Sequence, residues 1–123
     1  MKFSGLELAA ILKFAKAMVL ADGRIEKNEM AVLTGELGRF NVPPEMVEPL
    51  LKRGDEMEPV EALAVISKLD AERKKYVTAY LGTIMAADGD VDDKELALWS
   101  FISHLAGLPS MNAVEAVAIM ASL

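Results

Sequence analysis

The chain writes one pattern twice. The stretches "VLADGRIEKNEMAVL" (19–33) and "MAADGDVDDKELALW" (85–99) share Asp-Gly, any residue, a β-branched aliphatic, three further residues and a Glu. The offset is 66 residues, and extending it needs no gap. Ile11, Phe14, Met18 and Val19 fall on Val77, Tyr80, Ile84 and Met85. Met30 and Leu33 fall on Leu96 and Trp99, and Val42-Pro43 on Leu108-Pro109. A chain built this way holds two copies of one unit, over about 11–43 and 77–109. Their matching apolar faces predict two helical hairpins packed on each other about a pseudo-twofold axis.

Helix punctuation surrounds the repeat, and strand signals are absent: no period-2 alternation is sustained and no β-branched runs pair. Ser4 and Glu7 form a capping box that opens a first helix with Leu8, Ile11, Leu12, Ala15, Met18 and Val19 on its buried face. A second helix is predicted from about Lys27 to Phe40. Pro44 suits the first turn of a third, which is expected to end at Gly54 in a left-handed cap, with Pro49 keeping it short or kinked. Glu58-Pro59 opens a fourth, through about Lys68. Asp70 caps a fifth, with Val77, Tyr80, Leu81, Ile84 and Met85 facing in. The sixth spans about Asp93–Ala106 before Gly107. Its Phe101, Ile102 and Leu105 replace Gly35, Glu36 and Arg39 of the second helix, so it is expected to be the more buried of the two. The seventh starts near Ser110, and its all-round apolar surface predicts a core helix or a homodimer contact. The fold class is therefore all-α: about seven short helices in one compact bundle, 1–123.

Composition narrows the function. With 123 residues and no cysteine, the chain can bury a core without staples, while disulfides, thiolate metal sites and thiol chemistry are excluded. The lack of cysteine suits a reducing, cytoplasmic setting. A formal charge of −6 argues against a phosphate-backbone binder, so no nucleic acid is expected. Apolar residues reach 53%, but none of their runs approaches the ~18 residues of a membrane span, and no signal peptide is read. His104 is the only histidine, which rules out two-His zinc motifs; mid-helix and without neighbours in named roles, it does not make a catalytic site. No Gly-rich phosphate loop, nucleophile elbow or paired catalytic carboxylates can be read. The chain is not expected to be an enzyme.

The acidic motif admits two readings. In the structural one, Asp-Gly makes a tight turn, Ile25 and Val91 staple onto Met30 and Leu96, Glu26 and Asp92 cap the following helices, and Glu29 and Glu95 complete capping boxes. In the other, the motif holds Ca²⁺ or another divalent cation. An EF-hand loop has Asp at position five, Gly at six, an aliphatic at eight and Glu at twelve. Asp22, Gly23, Ile25 and Glu29 match those places, as do Asp88, Gly89, Val91 and Glu95. Positions one and three would be Met18 and Leu20, or Ile84 and Ala86, which cannot ligate a hard cation. A working EF-hand is thereby excluded, and any site must draw on both loops, on carbonyls or on water. The candidate ligands are Asp22, Glu29, Asp88, Asp90, Asp92 and Glu95, with the second, richer loop placed first.

The stretches "ADGRIEKNEMAVL" and "LDAERKKYVTAYLGTIMAADGDVDDKELALWSFI", with the following "GLP", resemble the TerB family of tellurite-resistance proteins across nearly the whole chain. The resemblance implies a non-enzymatic, all-helical bacterial domain tied to tellurite, phage or general chemical stress. It implies a divalent cation at the acidic loops, carried here by Asp22, Glu29, Asp88 and Glu95. Arg24 and Lys27 make the first loop less acidic than a symmetric site requires. A related domain occurs in membrane-anchored DnaJ-like co-chaperones, so the expected partners are proteins, membrane-associated complexes among them, without direct membrane insertion.

Overall fold

A computed structural model describes residues 1–21, 23, 27–87, 89 and 91–123. Among them the chain is all-helical, with seven α-helices and no strand. They are α1 (Gly5–Val19), α2 (Lys27–Glu36), α3 (Val47–Glu56), α4 (Pro59–Ser67), α5 (Ala71–Met85), α6 (Asp93–Ala106) and α7 (Ala113–Ala121). Two 3-10 turns, Leu37–Phe40 and Pro44–Met46, extend α2 and precede α3. No helix among the described residues is long and apolar enough to cross a membrane.

The repeat reaches further than the apolar match. At the same 66-residue offset, α1 and α5 have identical bounds, and their N-caps Ser4 and Asp70 each accept from the third residue of the helix. Asn41 and Gly107, which end the second helix of each half, are both left-handed, at φ 63° and 69°. The third helix is also duplicated: α3 packs on α1 as α7 packs on α5. Helix α4, which joins the two halves, lies across α1 and α6. The exchange between halves is reciprocal, with α2 packed on α5 and α6 on α1, as a pseudo-twofold requires.

Three ties set the direction of the helices. The Arg73 guanidinium lies 6.0 Å from the centre of the Phe3 ring, and its Nε donates to the Lys2 carbonyl at 2.9 Å, so α1 and α5 begin side by side. Tyr80 Oη, midway along α5, donates to the Leu33 carbonyl of α2 at 2.7 Å. Phe40, past the end of α2, stands edge-on to Phe3 at 4.9 Å and to Tyr80 at 5.4 Å. Hence α2 runs back along α5 toward the shared start. The C-termini of α1 and α5, from which the two Asp-Gly stretches depart, point to the opposite end of the bundle.

The core confirms both inner faces and adds Ala9, Ala10 and Phe14 to the first. Three expectations are corrected. Gly54 does not end α3; it is buried within the helix, which runs on to Glu56. A Cβ there would stand 2.6 Å from the Ala9 carbonyl oxygen, so glycine is required by the close approach of α3 to α1. Pro49 is tolerated because it occupies the first turn of α3, where its missing N–H has no intrahelical partner. Helix α6 is no more buried than the matching stretch 27–40: it buries Glu95, Trp99, Ile102 and Ala106 where that stretch buries Glu29, Leu33, Leu37 and Phe40, and Phe101 is 60% exposed. Helix α7 does not fill the centre. It buries Ala116 and Met120 against α5 and leaves Val114 79% exposed, because α1 and α5 already occupy the axis.

Candidate functional site: the acidic end of the bundle

Each half reaches this end in the same way. After α1, Leu20 N donates to Lys16 O and Gly23 N to Leu20 O; after α5, Ala86 N donates to Gly82 O and Gly89 N to Ala86 O. Gly23 and Gly89 take φ of 85° and 78°, a region that disfavours side chains, so glycine is needed at both. A helix then starts with its amides, and the positive end of its dipole, at this end of the molecule.

Among the six residues read as cation ligands, Asp22, Asp88 and Asp90 lie outside the described residues, as do Ile25 and Glu26 of the structural reading. Asp92 caps α6: its Oδ1 accepts from the amides of Lys94 at 2.8 Å and Glu95 at 3.2 Å. The expected box is only half made. Its second half, Glu95 reaching back to the Asp92 amide, is not formed, and the Glu95 side chain is buried, 5% exposed. Glu29, its equivalent, is 2% exposed. Glu7, Glu61 and Glu115 do close boxes, and none of the three is buried.

Both motif glutamates therefore lie on the buried sides of their helices, while the box between Glu26 and Glu29 lies outside the described residues. The signal lay in their phase: Glu29 precedes Leu33 and Leu37 by four and eight residues, and Glu95 precedes Trp99 by four. Each acid occupies a slot in the buried stripe of its helix. A carboxylate out of water is costly unless charge or hydrogen bonds compensate, and the helix N-terminus supplies part of that. Val91 and Leu96, the expected staple of the second half, both stay exposed. Among the described residues, no group of three or more His, Asp or Glu side chains comes together as a metal site. His104 is exposed near the end of α6, far along the helix from the motif.

No protein-family model matches the chain, and no curated protein matches it. Among solved structures it is similar to the crystal structure of a protein of unknown function, PG1108, from Porphyromonas gingivalis. The two are 55% identical with a TM-score of 0.90, over 98% of this chain and 92% of that one.

Proposed function

This chain belongs to one family with the Porphyromonas gingivalis protein, and on that premise we propose a TerB-like, non-enzymatic, stress-associated module that holds Ca²⁺ or a similar divalent cation at its acidic end. The observation that carries this reading is the burial of Glu29 and Glu95 at matched places, each six residues after a left-handed glycine. In an EF-hand the glycine at position six makes the sharp turn and the glutamate at twelve enters the site from the following helix. Asp22, Asp88 and Asp90 would supply further oxygens, while Asp92 is partly committed to its cap. Its partners are proteins, membrane-associated complexes among them, met in the cytoplasm. A second reading, favoured by the exposure of Phe101 and Val114, is an interaction or dimerisation domain whose acidic loops serve only the fold.

A Ca²⁺ titration of the whole chain, followed by thermal unfolding, separates the two. At a hundredfold excess over Kd the ion stabilises by about 2.7 kcal/mol, a rise in Tm on the order of 10 °C for a domain of this size. The double variant Asp88→Asn, Glu95→Gln loses the shift. No shift at millimolar Ca²⁺, or an equal one in the variant, removes the cation. Sedimentation at two concentrations, with and without chelator, then reads dimerisation directly.

A further inference from the structure

A groove of about 640 Å³ follows one side of α6. Leu96, Trp99, Ser100, Ser103 and His104 line it at spacings of three, four, seven and eight residues, one continuous stripe along the helix. Thr78 of α5 and segment 108–113 form the facing wall. In the first half the positions of Thr78 and Ser103 hold Leu12 and Leu37, both fully buried. The second copy has thus exchanged two packed leucines for hydroxyl side chains, and the hollow lies where they stand.

The charges around the groove select its occupant. Val91 lines the end nearest the start of α6, beside Asp92 and exposed Asp93. At the far end the Lys74 ammonium lies beside Gly107. Between them, among the described residues, His104 is the only titratable side chain that lines the groove. Neither carboxylate lines the groove itself, but Asp93 precedes Leu96 by one helical turn and Ser100 by two, so it continues the same stripe. A trough extended in this way suits a segment whose apolar side chains are followed by a cation. A second copy of the chain, also at −6, would bring the wrong charge to the Asp93 end. We propose that this groove binds an amphipathic helical segment of a partner protein, with apolar side chains at i, i+3 or i+4, and i+7 along α6, and a Lys or Arg against Asp92 and Asp93.

Selection of displayed 15-residue peptides on the full chain in EDTA, followed by measured affinities of the enriched sequences, tests this apart from any cation. Enriched peptides should pair apolar residues at helical spacing with a basic residue at one end. Ser103→Leu, which restores the residue of the first half, should weaken them at least tenfold without lowering Tm. Asp93→Lys should weaken them at least fivefold and flatten their salt dependence. Failure to enrich any peptide, enrichment of sequences without a basic residue, or equal binding to Ser103→Leu overturns the proposal.

Discussion

Gly35 lies on the outer side of α2 with open space where a Cβ would go, whereas Gly54 and Gly82 sit inside helix crossings. A Cβ on Gly82 would come 2.6 Å from Trp99 Cζ2 and 2.7 Å from Ala116 Cβ. Gly35→Ala should therefore raise stability by about 0.5–1 kcal/mol through helix propensity and a less disordered unfolded chain. Gly54→Ala and Gly82→Ala should each lose roughly 1–3 kcal/mol to overpacking. Urea denaturation distinguishes the signs, and a neutral Gly54→Ala would contradict the spacing of α1 and α3. Two titrating groups add a pH signature. Burial, and then the Glu36 charge, hold the Tyr80 phenol well above its ordinary range. Its contribution is present below the ordinary range and lost as pH rises beyond it through the raised value of the folded state, so phenolate absorbance from Tyr80 should appear only with alkaline unfolding. Asp70 is shifted the other way, chiefly by the Arg73 amide it accepts from, against a desolvating effect, and with the help of the Arg73 side chain. Its contribution is present above the ordinary carboxylate range and fades as pH falls, so Asp70→Ala should flatten the acid limb of a stability–pH curve.

At the scale of elements, α6 carries two apolar residues with opposite fates. Trp99 is buried against α5, and its Nε1 donates to the Thr78 carbonyl at 3.1 Å. Phe101, two positions on, faces solvent. Trp99→Ala should cost about 3–5 kcal/mol, while Phe101→Ser should stay within about 0.5 kcal/mol. Equal losses at the two sites would place α6 in the core, where sequence pattern alone put it. Helix α7 follows the same logic, since its length of nine residues gives it one seat on α5 and leaves Val114 and Val117 exposed.

For the whole molecule, the two halves share one interior. Helix α2 leans on α5, α6 leans on α1, and α4 bridges α1 and α6. Neither half can bury its apolar faces without the other, so the repeat should unfold as a unit. The fluorescence of Trp99, which reports on the second half, and far-UV circular dichroism, which reports on both, should give coincident urea transitions. A fragment ending after α4 should lack cooperative unfolding because α5, the seat of α2, is missing. Separate transitions for the two probes would mean that each half holds its own core.

What the sequence determined by itself was whatever depends on near neighbours. Helix starts at Ser4, Glu58 and Asp70, the left-handed stop at Gly107 and the positive φ of Gly23 and Gly89 all follow from local chemistry. The doubled hairpin followed from the 66-residue offset. Tertiary structure alone decided which of several similar residues enters the core. It buried Glu29 and Glu95 but left the boxed Glu7, Glu61 and Glu115 outside, and it turned Gly54 from an expected cap into a contact point. It also sent the apolar surplus of α6 and α7 to the surface. The physical reason is that a helix knows its own phase but not how many neighbours it will meet. Burial is set by the number of helices that can surround α1 and α5, and that number is a property of the assembled bundle.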